Sequence, residues 1–284
     1  MRTSMKCVGL LLLVLGSACA STRPAVAEPE PVPPHQTFTL ESARMKETRP
    51  ITVYLPPGYS TSPEARFPVL YMPDGGLKED FPHVATTVDT AIRAGELRPL
   101  IIVGIENTVR RRDMTGPTTV ASDREVAPVV GGSAVFRAFI HEELIPEVER
   151  RYRVTQERAI IGESLAGYFI VETFFLQPEL FDTYLALSPS LWWNAESLVK
   201  EAGERLAARP DLRARLYLSS ADETEEIVPA VARLGEVLRA SAPPGLKWEV
   251  EPRPDLRHDN IYRKSSPGVL RKWLPPVKTA EGSN

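Results

Sequence analysis

Short, almost continuous apolar runs alternate along the chain with longer segments whose apolar residues recur every three or four positions. The short runs indicate strands covered on both faces, and the longer segments indicate helices. After an antiparallel entry pair at 37–44 and 51–55, the predicted strands are 67–72, 100–105, 159–161, 184–187, 215–219 and 246–250. The predicted helices are 84–94, 134–150, 165–176 and 227–240. This alternation predicts an α/β fold with a mostly parallel central sheet and helices on both faces.

The N-terminal twenty residues have the pattern of a secretory signal. Arg2 and Lys6 precede a short apolar run, and Ala18 to Ala20 offer a cleavage site. The run is too short to span a bilayer as a helix. A second interpretation makes Cys19 the lipidated residue of a bacterial lipoprotein signal, and both remain open. We therefore expect an exported protein, either periplasmic or anchored to the outer membrane.

The rest of the chain divides into three parts. Residues 21–36 contain five prolines and predict an extended tether. Residues 37–274 are long enough for one catalytic domain with a sizeable core, and 275–284 form a C-terminal tail.

Composition narrows the possible chemistry. The two cysteines, Cys7 and Cys19, both lie in the signal segment, so the folded part offers no disulfide, cysteine nucleophile or thiolate metal site. The formal net charge is −3, and no basic patch is long enough to indicate nucleic acid. Contact with a membrane is expected only through a lipid anchor at Cys19.

The segment 158–169 predicts a nucleophile elbow. An apolar run ends at Gly162, Ser164 follows between small residues, and a helical pattern begins at once. Such a turn holds a serine at the tip of a strand with a helix N-terminus behind it. Its tight backbone packing explains Gly162, Ala166 and Gly167.

A serine nucleophile needs a base, normally a histidine oriented by a carboxylate. The chain has four histidines, namely His35, His83, His141 and His258. Hydrolases with a nucleophile elbow place serine, acid and histidine in that order along the chain. Of the four, His258 alone follows Ser164, and this order selects it as the base.

The acid is then expected between Ser164 and His258, at the end of a late strand. Asp222 is the first carboxylate after the strand 215–219, and we predict it as the triad acid. Glu223, Glu225 and Glu226 are close enough to take its place. This acidic loop also has a purely structural interpretation, because carboxylates favour the N-terminus of the helix that follows.

Backbone amides are expected to form the oxyanion hole. One is the N–H of Leu165, directly after the nucleophile, and the second comes from the loop after the third strand. Gly75 and Gly76 lie in that loop, where glycine lets a backbone N–H approach a ligand without side-chain obstruction.

The succession of motifs resembles the putative esterase family of the α/β-hydrolase superfamily, which contains enterochelin and salmochelin esterases and esterase D. The residues that carry the likeness are 53–59, 68–75, 99–106, 112–115, 162–167 and 181–193. The resemblance implies an α/β-hydrolase fold, with Ser164 as nucleophile and His258 as base. It also implies Gly75 or Gly76 in the oxyanion hole, and Arg112 and Trp192 near the substrate.

Some positions near these motifs leave alternatives open. Glu163 stands before the nucleophile where many relatives have His or Ser, and a carboxylate there is expected to disfavour anionic substrates. Trp192 and Trp193 are predicted to wall a pocket, although paired tryptophans are as often core residues. The arginines at 110–112 either bind a substrate carboxylate or pair with acidic neighbours.

Taken with the resemblance, the sequence predicts an exported serine hydrolase that cleaves small-molecule carboxylic esters through a Ser-His-Asp triad and an acyl-enzyme. No metal or organic cofactor is expected. An acyltransferase on the same fold is the first alternative, since an alcohol replaces water in the same reaction. A non-catalytic ligand-binding relative is the second.

Overall fold

The computed structural model describes residues 31–126, 128–223 and 226–276. Within these ranges eight strands form one sheet in the spatial order β1-β2-β4-β3-β5-β6-β7-β8. The strands are β1 His35–Ser42, β2 Glu47–Tyr54, β3 Phe67–Pro73, β4 Ile101–Ile105, β5 Val154–Glu163, β6 Thr183–Leu187, β7 Ala214–Ala221 and β8 Leu246–Arg253. The helices are α1 Phe81–Arg93, α2 Arg110–Met114, α3 Ala121–Val126, α4 Ser133–Phe139, α5 Ile145–Arg151, α6 Leu165–Leu176, α7 Trp193–Ala207, α8 Ile227–Ser241 and α9 Ile261–Trp273.

The direction of the strands brings the predicted site residues to one edge of the sheet. The strands β1, β2 and β4 pair antiparallel, whereas all pairs from β4 across to β8 are parallel. The predicted antiparallel entry and mostly parallel sheet are therefore confirmed. The carboxyl ends of β3, β5, β7 and β8 meet at the same edge, where α/β proteins bind their ligands.

Helices cover both faces of the sheet, as predicted. Buried residues of α1 and α9 pack on one face, and buried residues of α4 to α8 pack on the other. The α6 helix is mostly apolar, and every residue from Leu165 to Phe175 is buried, including Glu172, which pairs with Arg137 at 2.9 Å. It is enclosed because β5 and β6 pack on one side and α7 on the other. A helix embedded in this way gives the residue at its N-terminus a fixed position.

The structure departs from the predicted elements in several places. The helix predicted over 134–150 is interrupted by a π-helical turn, Ile140–Leu144, which ends just before Pro146. Proline has no N–H for the regular helical ladder, and this accounts for the local change. The helices α2, α3, α7 and α9 were not predicted; α2 and α3 are very short, and α9 contains Pro267.

The ends of the domain also differ slightly from the prediction. The strand β1 begins at His35, inside the predicted tether, and the carbonyl of Pro31 accepts a hydrogen bond from the Thr86 hydroxyl at 2.7 Å. The last helix ends at Trp273, close to the predicted boundary at 274. The signal segment with Cys19, and residues 277–284, lie outside the described residues. No helix in the described ranges is long and apolar enough to cross a membrane.

Candidate active site

Ser164 lies on a strained turn between β5 and α6. Its φ and ψ are 60° and −121°, a conformation that residues with a side chain rarely adopt. The turn is held from both sides, because the N–H of Ser164 donates to the Leu187 carbonyl at 3.0 Å and its carbonyl accepts from the N–H of Tyr168 at 2.9 Å. This is the geometry of a nucleophile elbow.

The small residues around the serine are required by close packing. A Cβ atom added to Gly162 would lie 2.8 Å from the Cβ of Ala166, closer than side chains tolerate. Strand β5 and helix α6 therefore approach each other as the sequence predicts.

The Ser190 hydroxyl lies 3.5 Å from the Ser164 hydroxyl and is buried.

His258 connects the serine to a carboxylate. Its Nε2 lies 3.1 Å from Oγ of Ser164, and its Nδ1 lies 3.0 Å from Oε1 of Glu223. A neutral imidazole with its proton on Nδ1 satisfies both contacts, because it donates to the carboxylate and accepts from the hydroxyl. His258 itself lies in the loop between β8 and α9, at the edge of the sheet that carries Ser164.

The carboxylate at the histidine corrects the prediction for Asp222. The N–H of Asp222 donates to the Leu256 carbonyl at 2.7 Å, and its side chain is exposed. The next residue, Glu223, turns inward, and its side chain is only 2% exposed. The loop after β7 thus delivers its second carboxylate to His258, one position later than predicted.

The neighbouring carboxyl groups change the acidity of the histidine. The hydrogen bond to Glu223 raises the pKa of His258, and the charge of Glu163 adds to this, while burial acts in the opposite direction. Burial raises the pKa of Glu163 to about 7. The site therefore contains an orienting carboxylate and, beside the nucleophile, a second carboxyl group that titrates near neutral pH.

Of the three predicted oxyanion donors, Leu165 fits the role best. Its N–H is the first of α6, and the first N–H groups of a helix have no intrahelical acceptor. Gly75 instead donates to the Ile105 carbonyl at 3.0 Å, which extends the ladder between β3 and β4. Gly76 donates to Oε2 of Glu79 at 2.8 Å, so it could serve an oxyanion only after releasing that carboxylate. The prediction for Gly75 is thereby corrected.

Arg110, rather than the predicted Arg112, acts on the titratable groups beside Ser164. Arg112 donates to Oε1 of Glu47 at 2.8 Å and to Oδ1 of Asp113 at 2.6 Å, so it belongs to an ion-pair cluster at the edge of the sheet. Arg110 holds Asp74 through two hydrogen bonds of 2.6 and 2.8 Å. Its charge lowers the pKa of both Glu163 and His258. Helix α2 thus directs Arg110 toward Asp74 and Arg112 toward Glu47 and Asp113. The spacing of the arginines in the sequence did not reveal this difference.

The ion-pair cluster around Arg112 is expected to make the free energy of unfolding depend on pH. Burial alone would raise the pKa of Glu47, but hydrogen bonds from Arg112, Arg49 and Thr108 lower it to about 2, against an ordinary value of 4.5. Because the pKa of Glu47 is lower in the folded protein than in the unfolded chain, its ionised carboxylate stabilises the fold. This contribution is complete above about pH 4.5 and is lost as the pH falls toward 2. We expect Glu47→Gln to reduce the difference in unfolding free energy between neutral and acidic pH, measured by urea denaturation. Glu41→Gln on the neighbouring strand is the control, and an equal effect there would contradict this account.

The two tryptophans have different surroundings. Trp193 is fully buried, and its Nε1 donates to the Gly116 carbonyl at 3.0 Å, so it is a core residue. The prediction of a pocket role is therefore corrected for Trp193. Trp192 is half-buried, with its ring 5.8 Å from that of Trp193, and it keeps a surface available to a ligand.

A groove of about 410 Å³ opens beside the histidine. It is lined by Asp222, Glu223, Ile227, Arg257, His258 and Asp259. A volume of this size accommodates part of a small molecule. The described residues contain no group of three or more His, Cys, Asp or Glu side chains arranged to hold a metal ion.

Ser164, His258 and Glu223 have the geometry of a serine–histidine–carboxylate triad at the carboxyl edge of the sheet, which is the arrangement typical of α/β-hydrolases. Comparison with known proteins agrees with this class. The model of the family described as "Putative esterase" matches residues 42–236. The chain belongs to the Putative esterase family, and the resemblance noted in its sequence is confirmed.

Curated relatives of the chain act on siderophores, by their names. The ferri-bacillibactin esterase BesA of Bacillus subtilis is 32% identical over 175 residues, which cover 55% of this chain and 58% of that protein. The siderophore triacetylfusarinine C esterase of Aspergillus fumigatus is 32% identical over 192 residues, which cover 61% of this chain and 62% of that protein. The matches thus span about three fifths of each relative.

Solved structures share the fold over most of the chain. An IroE-like serine hydrolase from Shewanella oneidensis superimposes with a TM-score of 0.77 at 27% identity, covering 85% of this chain and 80% of that chain. The BES protein from Bacillus cereus superimposes with a TM-score of 0.74 at 23% identity, covering 86% and 95% of the two chains. The second likeness shows the fold alone. The predicted α/β-hydrolase fold is confirmed.

Proposed function

We propose that this protein is a serine hydrolase that cleaves carboxylic esters of small molecules. The observation that carries the proposal is the unbroken chain of contacts from Ser164 through His258 to Glu223, at 3.1 and 3.0 Å, on a strained elbow. Membership of the Putative esterase family supports it.

In the proposed reaction His258 accepts the proton of the Ser164 hydroxyl while Oγ attacks the ester carbonyl. The N–H of Leu165 stabilises the oxyanion, and the buried carboxylate of Glu223 stabilises the imidazolium. His258 then returns the proton to the departing alcohol. Water, deprotonated by the same histidine, then attacks the acyl-enzyme; the bond between the acyl carbon and Oγ breaks, His258 returns the proton to Oγ, and the acid is released.

The names of the relatives suggest where to look for the substrate. Siderophore esters are the first class to test, because two curated relatives are named for them. We also propose that the protein is exported. It is either released as a soluble protein after cleavage of the signal or anchored by a lipid at Cys19.

The test is hydrolysis of p-nitrophenyl acetate and butyrate, together with labelling by a fluorophosphonate. We expect turnover and covalent labelling of the protein, and neither in Ser164→Ala. The matched control is Ser62→Ala, which removes a serine from an exposed loop outside the site. Absence of both turnover and labelling in the folded protein would contradict the proposal and favour a ligand-binding relative. Product formed only when an alcohol is added would favour the acyltransferase.

A further inference from the structure

The carboxyl group of Glu163 lies beside the nucleophile, and the mechanism above does not use it. Glu163 is the last residue of β5 and immediately precedes Ser164. Its Oε1 is buried and accepts no hydrogen bond from the described residues. Buried carboxyl oxygens normally have donors. The negative charge of an ionised Glu163 is therefore not shared with a hydrogen-bond donor at this oxygen, and its electric field acts on the space beside the nucleophile.

Charged and titratable groups from five elements surround this carboxyl group. They are Asp80 before α1, Arg110 in α2, Glu223 after β7, His258 before α9 and Tyr262 in α9. Two of the five are acidic and repel the charge of Glu163, while Tyr262 is buried and keeps its proton. The surroundings therefore contain both signs of charge, and burial is the largest influence on the pKa of Glu163.

The cations nearby are already engaged with other carboxylates. Arg110 holds Asp74 through two hydrogen bonds, and Nδ1 of His258 is bound to Glu223. Asp80 has its own neighbour, His83, whose Nε2 lies 3.3 Å from Oδ1. Among the described residues Glu163 has no ion pair of its own, and the charges of His258 and Arg110 offset its negative charge only in part.

We propose that Glu163 is a specificity residue that selects against esters whose acyl group carries a negative charge and favours neutral or cationic acyl groups. This inference rests on the proposed function. The acyl carbonyl must reach Oγ of Ser164, so a charge a few bonds away comes near the adjacent carboxylate. In a half-buried site such a charge pair is only partly screened.

The selectivity should depend on pH. Burial raises the pKa of Glu163 to about 7, with Asp80 and Glu223 acting in the same direction and His258 and Arg110 opposing it. The carboxyl group is mostly neutral near pH 6 and mostly ionised near pH 8. Discrimination against anionic acyl groups is therefore weak at the lower pH and strong at the higher.

The test uses three p-nitrophenyl esters with the same six-carbon acyl chain. The chain ends in a carboxylate, in its methyl ester, or in a trimethylammonium group. We expect the ratio of kcat/KM for the neutral ester to that for the anionic ester to rise about tenfold from pH 6 to pH 8. The ratio for the neutral against the cationic ester should fall over the same range. Titration of His258 affects all three esters alike and cancels in these ratios.

Two variants separate Glu163 from the general charge of the protein. In Glu163→Gln both ratios should become independent of pH. In Glu179→Gln they should remain as in the parent protein, because Glu179 is 67% exposed and lies before β6, at the opposite edge of the sheet. Added salt should weaken the discrimination in the parent protein.

The possible outcomes are distinguishable. A ratio that rises equally in Glu163→Gln, or that stays flat in the parent protein, would overturn the role of Glu163 and leave the esterase intact. A flat ratio in the parent protein would overturn the role of Glu163 even if the variant does not fold. If Ser164-dependent hydrolysis of all three esters is absent, the proposed function fails, and this inference fails with it.

Discussion

Replacing Ser164 with alanine is expected to lower kcat/KM for a p-nitrophenyl ester by roughly 10⁴- to 10⁶-fold while the protein remains folded. The hydroxyl is the proposed nucleophile, and its contact with His258 is lost with it. His258→Ala should cause a loss of similar size, and the double variant should lose little more, because the two groups act as a unit. Additive losses would contradict a shared mechanism.

The same position should reveal strain stored at the elbow. Alanine at φ 60° and ψ −121° keeps the unfavourable backbone conformation, whereas glycine adopts it readily. We therefore expect Ser164→Gly to unfold with a free energy about 1 kcal/mol higher than Ser164→Ala, although glycine ordinarily destabilises folded proteins. The measurement is chemical denaturation of both inactive variants. A lower stability of the glycine variant would show that the elbow is not strained.

The positions of the proposed nucleophile and base could be predicted from the sequence because their signals are local or depend on chain order. A buried strand ending at a small residue, followed by serine and an apolar helix, allows few other conformations around Ser164. Chain order then left one histidine, His258. Similar local reasoning predicted the central strands β3, β4 and β6, since nearly every residue of these strands is buried and apolar.

The remaining site residues could not be fixed in this way, because they depend on the direction of single side chains. Asp222 and Glu223 are adjacent carboxylates, and the turn after β7 decides which of them faces His258. The arginines of α2 point to different surroundings for the same reason. Trp193 is in the core because its indole finds a buried carbonyl, a tertiary contact that no local pattern encodes.

Glu223→Gln is expected to lower kcat/KM by about 10²- to 10⁴-fold, whereas Asp222→Asn should change it by less than about threefold. Glu223 accepts a hydrogen bond from His258, and in the proposed reaction it stabilises the imidazolium that forms when Ser164 loses its proton. The amide keeps the size of the side chain but removes the charge. The two variants are matched, since each replaces one carboxylate of the same loop by its amide.

A pH profile separates this role from a merely structural one. The carboxylate of Glu223 raises the pKa of His258, which must be neutral to act as base. Loss of that charge lowers the pKa, so the acidic limb of kcat/KM should move to lower pH in Glu223→Gln and stay in place in Asp222→Asn. If Asp222→Asn instead lost activity and moved the limb, the loop after β7 would present its first carboxylate to the histidine in the active protein. The assignment of Glu223 would then be wrong, while Ser164 and His258 would keep their roles.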